Sequence, residues 1–184
     1  HSCDMRHRNL EEGDLVRVVN GRGSLVLPIA SGGGVLRGRA WLPMHWGNRF
    51  MNGAGANALT SSAVDPYSFQ PELKHAAVAI EPARLPWPLV LIRRCEAGSL
   101  DAATLLTIAR RLLPEFEYAS VALNGRRASL LIFRAASASP LPEARLNEID
   151  ALFGLDGDEG ATRYDDPRRS ISKRVVTRGG QIIG

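Results

Sequence analysis

Cysteine is scarce in this sequence, with only Cys3 and Cys95 among 184 residues. The two lie far apart, form no CxxC pair, and show no Cys/His spacing typical of a zinc or iron–sulfur site. Because disulfide-stabilised scaffolds need more cysteines than this, a reducing compartment is favoured. We therefore predict that the protein is cytoplasmic and that these 184 residues ligate neither a metal ion nor an iron–sulfur cluster.

Long apolar runs are also missing. The longest candidate, Leu89–Ile92, is bounded by Pro88 and Arg93, whereas a membrane span needs roughly 18 residues. The amino-terminal stretch HSCDMRHRNLEEG carries charges but no apolar core of a signal peptide. We predict no membrane insertion. Since the chain starts at His1 rather than Met and stops at Gly184 within a hairpin pattern, we expect natural sequence to be missing at both ends.

Charge of one sign does not dominate, because 23 Lys and Arg face 19 Asp and Glu, for a net charge of +4. A mild excess suits an anionic partner, but no aromatic-rich basic motif of nucleic-acid binding accompanies it. We predict no nucleic-acid partner. The arginine pairs are interpreted as solvated surface; they are Arg93-Arg94, Arg110-Arg111, Arg126-Arg127 and Arg168-Arg169.

The first half of the chain favours β structure. Val- and Leu-rich runs at residues 15–19 and 24–29 flank Asn20-Gly21, and Asn-Gly is a strong hairpin-turn signal. Further strands are predicted over residues 39–44 and 75–80. The stretch 48–70 is polar and rich in Gly, Ala and Ser, which indicates a long loop of the functional or disordered kind. Prolines at 82, 86 and 88 mark a boundary.

The second half changes to mixed α and β patterning. Strand signals occupy residues 89–93, 121–123, 129–133 and 161–164, and helical signals begin after Ser99, a predicted N-cap, and at Pro142;. A last hairpin is predicted around Gly179-Gly180. The order β-α-β-β-α-β predicts a small α+β module that suits a ferredoxin-like fold.

Chemically useful groups concentrate in and beside the long loop, in the stretches LPMHWG (42–47), NALT (57–60) and DPYSFQPELK (65–74). Free backbone N–H groups and a lysine can bind phosphate, while Asn and Thr can bind base or sugar edges. The loop therefore suits an extended, polar, anionic ligand. The alternative is a surface loop whose Asn and Asp residues cap its own turns, and composition alone favours that alternative.

Four sequence segments that occur in this order favour the ligand-binding loop over a plain surface loop: EEGDLVRVVNGRGSLVLPI, LPMHWG, NALTSSAVDP and QPELKHAAVAIE. Together they resemble the carboxy-terminal cofactor domain of molybdopterin oxidoreductases that bind bis-(molybdopterin guanine dinucleotide), and within that family the assimilatory nitrate reductases. The resemblance covers residues 1–82 and implies a double-psi β-barrel. It also implies a parent enzyme that reduces nitrate to nitrite at molybdenum, with electrons from a donor such as ferredoxin or a flavoprotein reaching it through an iron–sulfur cluster.

By this resemblance, cofactor contacts are expected at Asn57, Thr60 and Lys74, and also from one of Met44, His45 and Trp46. The sequence departs from the pattern at Phe69, where relatives commonly have Lys, so one positive charge is lost. His45 has no nearby acid or cysteine to complete a catalytic set, and Asp65 and Glu72 are interpreted as turn and surface residues. No catalytic residue is predicted, and the chain alone is expected to be inactive.

These observations predict two domains: residues 1–82 bind the molybdopterin guanine dinucleotide, and residues 83–184 form a carboxy-terminal α+β extension. The expected partners are the rest of a nitrate reductase chain and its electron donor. Two other functions stay open. One is the same domain of a formate dehydrogenase, against which His45-Trp46-Gly47 argues; the other is a non-catalytic module that docks an acidic electron carrier.

Overall fold

The computed structural model describes residues 1–45, 47–72, 74–96, 100–125, 129–157 and 160–184. The chain divides into two compact units, His1–Pro86 and Trp87–Gly184. The division falls inside the proline-rich stretch, slightly later than residue 82. That residues 1–82 and 83–184 are separate domains stays a prediction.

Unit 1, residues 1–86, is built on one small antiparallel sheet with strand order β2-β1-β3. Its strands are β1 (Leu15–Val19), β2 (Ser24–Pro28) and β3 (Ala79–Pro82). A short helix α1 (Ser2–His7) precedes them, and a 3₁₀ helix (Gly55–Leu59) lies in the long connection between β2 and β3. The predicted first hairpin is confirmed, with Val16 opposite Leu27 and Val18 opposite Leu25.

Two strand predictions in unit 1 fail. Residues 39–44 form no strand, and residues 39–41 are exposed; without a neighbouring strand to pair with, an apolar run has no ladder to join. The strand predicted over residues 75–80 is Ala79–Pro82 instead, because Ala79 pairs with Val19 at the end of β1. Pro82 is accommodated because β3 lies at the edge of the sheet.

The core of unit 1 is small and draws on every part of it. Its buried residues are Met5, Leu10, Val16, Val18, Leu25, Met51 and Leu59. The last two come from the irregular connection, so that connection packs against the sheet at defined points. The predicted loop is therefore anchored, and part of it is helical.

The described residues of unit 2, which spans 87–184, form two helices and two three-stranded antiparallel sheets. The first sheet has the order β4-β6-β5, with β4 (Trp87–Arg94), β5 (Tyr118–Asn124) and β6 (Leu130–Ser137). The second has the order β7-β8-β9, with β7 (Ala161–Asp166), β8 (Ile171–Arg178) and β9 (Gln181–Ile182). The helices are α2 (Ala102–Leu112), followed by a 3₁₀ turn (Leu113–Glu115), and α3 (Glu143–Leu152).

The helices of unit 2 share one core with the first sheet. Leu105, Ala109 and Leu112 of α2 are buried, as their helical spacing predicts;. From the sheet, Phe133 is fully buried and meets Phe116 edge to face, with ring centroids 5.8 Å apart. Ile149 of α3 and the following Phe153 complete the core, whereas Leu152, also expected on that face, is 44% exposed.

Further predictions for unit 2 are corrected at single residues. The N-cap of α2 is Asp101, whose carboxylate accepts the Thr104 N–H at 2.8 Å; Ser99, the predicted cap, lies outside the described residues. Arg93 is fully buried rather than solvated. Its guanidinium donates to the carbonyls of Phe153 and Ile183 and to Glu96. These acceptors replace the water that a buried cation loses.

The fold class is confirmed only coarsely, as mostly β with short helices. The described strands form three separate sheets and close no barrel, so the double-psi barrel stays a prediction. The element order of unit 2 is the predicted β-α-β-β-α-β, but β7 pairs with β8 instead of joining the first sheet. The ferredoxin-like arrangement is therefore not confirmed. Over the described ranges, no helix is long and apolar enough to cross a membrane.

Candidate functional site

The irregular connection of unit 1, residues 29–78, is held by carboxylates near its start. Glu12 accepts the backbone N–H of Ser31 at 2.8 Å and also the Ser31 hydroxyl, and these hydrogen bonds hold the pKa of Glu12 below its ordinary value. Asp4 accepts the Gly38 N–H at 2.8 Å. The glycine-rich part is thus attached to the amino-terminal elements at both ends.

Further along, apolar anchors take over. Met51 is 1% exposed and follows a turn in which its N–H donates to the Gly47 carbonyl at 3.3 Å. Leu59, at the end of the 3₁₀ helix, is 3% exposed. Close to these buried residues, the polar side chain of Asn57 is exposed.

Three of the predicted cofactor residues are Asn57, Thr60 and Lys74. Asn57 is exposed on the 3₁₀ helix, and the Thr60 hydroxyl donates to the Asn57 carbonyl at 3.1 Å. Lys74 is exposed shortly before β3. Among the described residues, neither the Asn57 amide nor the Lys74 ammonium has a hydrogen-bond or ion-pair partner. The structure thus brings Asn57 and Thr60 into direct contact.

The other predicted contact comes from one of Met44, His45 and Trp46. Met44, 46% exposed, and His45, also exposed, lie in a turn instead of at the end of a strand. No described contact joins them to Asn57 or Lys74. Trp46 lies outside the described residues. Among the described residues, the structure therefore does not join Met44 and His45 to the other predicted contacts.

Asn20 and Arg22, predicted only as residues of the first hairpin turn, donate hydrogen bonds to the segments that carry the predicted cofactor residues. The Asn20 amide donates to the Leu59 carbonyl at 2.8 Å and to the Ala77 carbonyl at 3.4 Å. Arg22 Nε donates to the same Leu59 carbonyl at 3.1 Å. The only sequence signal was the Asn-Gly turn itself, which says nothing about carbonyls far away in the chain.

The turn that carries Phe69 is well ordered by its own side chains. Asp65 accepts the N–H groups of Tyr67 at 3.0 Å and Ser68 at 2.7 Å, and the Ser68 backbone hydrogen bond is the largest cause of its lowered pKa. Asp65 is therefore a turn residue, as predicted. Phe69 has a positive φ of 55° and its ring is 75% exposed, so this position presents an aromatic side chain at the surface.

The segment contains a primary amide at Asn57, a hydroxyl at Thr60 and an ammonium group at Lys74. These are types of group that can bind phosphates and the edges of heterocycles. In the described part of the chain, no group of three or more His, Cys, Asp or Glu is placed to hold a metal ion.

Comparison with known proteins points the same way. Residues 1–77 match the family described as "Molydopterin dinucleotide binding domain". A nitrate reductase of Klebsiella oxytoca is 40% identical over 78 residues, 42% of this chain and 9% of that protein. A nitrate reductase of Synechocystis sp. is 41% identical over 61 residues, 33% of this chain and 8% of that protein. No solved structure matches.

The chain thus spans less than a tenth of the length of these relatives. All the similarity lies in the amino-terminal part of the chain, where the connection between β2 and β3 also lies. The resemblance stated from the sequence is confirmed for that part. Residues 1–77 match that family's model, and the chain is similar to part of two nitrate reductases.

Proposed function

We propose that unit 1 is a cofactor-binding part of a molybdenum-dependent nitrate reductase and that Asn57 and Lys74 bind its molybdopterin dinucleotide. The family match and the similarity to two nitrate reductases support this proposal. They favour a nitrate reductase over a formate dehydrogenase.

The residue assignment rests on two polar side chains, Asn57 and Lys74, that have no protein partner among the described residues. The Asn57 amide both donates and accepts, which suits the edge of a pterin or guanine. The Lys74 ammonium supplies a full positive charge beside a ligand with several negative ones. Both are exposed, so neither must give up a protein hydrogen bond to bind.

The proposal also names the cofactor, its further contacts and the source of electrons. The cofactor is bis-(molybdopterin guanine dinucleotide), and when bound it would supply the molybdenum centre at which nitrate is reduced to nitrite. Thr60 and one of Met44, His45 and Trp46 add contacts to it. The iron–sulfur cluster of the parent enzyme is ligated elsewhere, and a ferredoxin or flavoprotein delivers electrons to this cytoplasmic, assimilatory enzyme.

Within this proposal the chain binds and covers the cofactor, and it supplies no catalytic residue. Residues 83–184 serve as an extension of the same polypeptide. The 184-residue chain alone, supplied with cofactor and an artificial electron donor, should therefore show no nitrate reduction; measurable turnover would contradict the assigned role.

The test of the site uses Asn57→Ala and Lys74→Ala in the complete enzyme. Losing a charge-assisted hydrogen bond costs about 1.5–3 kcal/mol, or roughly ten- to a hundredfold in affinity. A neutral hydrogen bond costs less, so Lys74→Ala should be the more damaging change. Molybdenum per protein should fall in both variants before the KM for nitrate changes.

The control is Arg168→Ala, because Arg168 is exposed on the turn between β7 and β8 in unit 2. It should leave molybdenum content and KM unchanged; Arg126, also interpreted as surface, lies outside the described residues. If Asn57→Ala and Lys74→Ala keep full molybdenum and alter only KM, these residues contact the substrate and the cofactor assignment is wrong.

A further inference from the structure

The first hairpin turn, residues 20–23, uses every hydrogen-bonding group of the Asn20 side chain. Oδ1 accepts the N–H groups of Arg22 at 2.9 Å and Gly23 at 3.2 Å, which closes the turn. Nδ2 donates to Leu59 O at 2.8 Å and to Ala77 O at 3.4 Å. One amide therefore joins the turn to two segments that are distant in sequence.

The neighbouring turn residues support the same contact. Arg22 Nε is a second donor to the Leu59 carbonyl, at 3.1 Å. A Cβ at Gly23 would stand 2.8 Å from the Ala58 carbonyl oxygen, closer than real Cβ atoms come. Three residues of one turn thus meet the end of the 3₁₀ helix, so the contact is a packed one.

The two carbonyls are placed where the proposed cofactor residues need support. Leu59 lies between Asn57 and Thr60, and Ala77 lies shortly after Lys74. We infer that Asn20 is a positioning residue of the candidate site: its amide fixes, relative to each other, the two segments that carry Asn57 and Lys74. This inference rests on the proposed function. A ligand that both segments bind gains affinity when they are already in place.

The direct test uses Asn20→Asp in the 184-residue chain. The carboxylate keeps an acceptor for the turn but replaces the donor with an oxygen that repels both carbonyls. Amide hydrogen exchange should speed up about tenfold around residues 57–60 and also around residues 77–79, because each segment loses one hydrogen bond. The β1–β2 amides should keep their protection. If they lose it equally, or if only one segment responds, the inference is overturned.

A matched control is Asn124→Asp, in the second Asn-Gly turn. There Oδ1 accepts the Gly125 N–H at 2.7 Å, as a turn asparagine does. This variant should leave residues 57–60 and 77–79 unchanged. If Asn20→Asp fails to accumulate, Asn20→Ser serves instead, because its hydroxyl retains an acceptor for the turn and removes the amide.

The consequence for the cofactor is measured as molybdenum per protein in the complete enzyme. Asn20→Asp should lower it about tenfold at limiting cofactor, and adding Asn57→Ala should lower it by less than the product of the single effects, because both act through one segment. If Asn57→Ala and Lys74→Ala lower molybdenum but Asn20→Asp does not, the positioning role is wrong and the proposed function stands. If Asn20→Asp speeds exchange at both segments and no variant changes molybdenum, both are wrong.

Discussion

The two units of this chain are stabilised in different ways. Unit 2 packs two helices on a sheet, with Leu105, Leu131, Phe133 and Phe153 at 2% exposure or less. Unit 1 has one small sheet, and its connection between β2 and β3 leaves large apolar side chains in solvent, among them Trp41 at 76% and Tyr67 at 92% exposure.

This difference shows where single polar groups matter most. In unit 2 the regular elements bury each other, so the fold follows from their apolar faces. In unit 1 the long connection has few buried side chains, and hydrogen bonds from Asp4, Glu12 and Asn20 to its backbone place it. A segment held in this way can offer its remaining groups to a ligand, but it is sensitive to substitution at each anchor.

The largest expected effect is in the core of unit 2. Phe133→Ala should cost about 3–5 kcal/mol of unfolding free energy there, because it removes a fully buried ring and leaves a cavity. Protection of unit 1 amides against hydrogen exchange should not change, since we expect residues 83–184 to fold separately. Leu123→Ala, at a site 45% exposed, is the control. A single cooperative loss of protection in both units would contradict separate folding.

A somewhat smaller effect is expected from Arg93→Met. The substitution removes the buried cation that the carbonyls of Phe153 and Ile183 and the Glu96 carboxylate share. It leaves the buried Phe153 carbonyl without its Arg93 donor, and an unsatisfied buried acceptor costs about 1–3 kcal/mol;. Exchange should rise at the end of α3 and in β8 and β9, as measured by mass spectrometry. Arg111→Met, at an exposed position of α2, should leave both regions unchanged; equal effects of the two variants would refute the anchoring role.

The smallest effects concern pH. Hydrogen bonds from Ser68 and Thr104 lower the pKa values of Asp65 and Asp101. A lowered pKa in the folded state means that the stabilisation is present above the ordinary aspartate value of about 4 and is lost as pH falls through the lowered one. Amide NMR shifts of Ser68 and Thr104 should titrate below about pH 4. Asp65→Asn should abolish the Ser68 titration alone, and a midpoint above the ordinary value would refute the assignment.

Local signals predicted a good part of the fold. Asn20-Gly21, Asn124-Gly125 and Gly179-Gly180 each mark a real hairpin turn, and positive φ values at Gly125 (107°), Gly179 (56°) and Gly180 (74°) show why glycine is needed at those positions. The helix that starts after Pro142 is confirmed, ending just before Phe153. These features depend on residues close together in the chain, so sequence patterns report them well.

Features that depend on distant partners were predicted poorly. The apolar stretch 39–44 contains strand-forming residues, but no neighbouring strand pairs with it. Arg93 belongs to an arginine pair that was predicted to lie on the solvated surface. The family resemblance pointed to Asn57, Thr60 and Lys74 as site residues. It did not point to Asn20, whose hydrogen-bond acceptors lie 39 and 57 residues away along the chain.

The sequence by itself determined the turns, most of the helices and strands, and the likeness of residues 1–77 to a molydopterin dinucleotide binding domain. These follow from backbone preferences, from apolar periodicity and from the order of short motifs. Only the tertiary structure decided that Arg93 is buried and that Asn20 joins the Asn57 and Lys74 segments. The reason is physical: burial of a charge and the choice of a hydrogen-bond acceptor depend on which carbonyls the folded chain brings within about 3 Å.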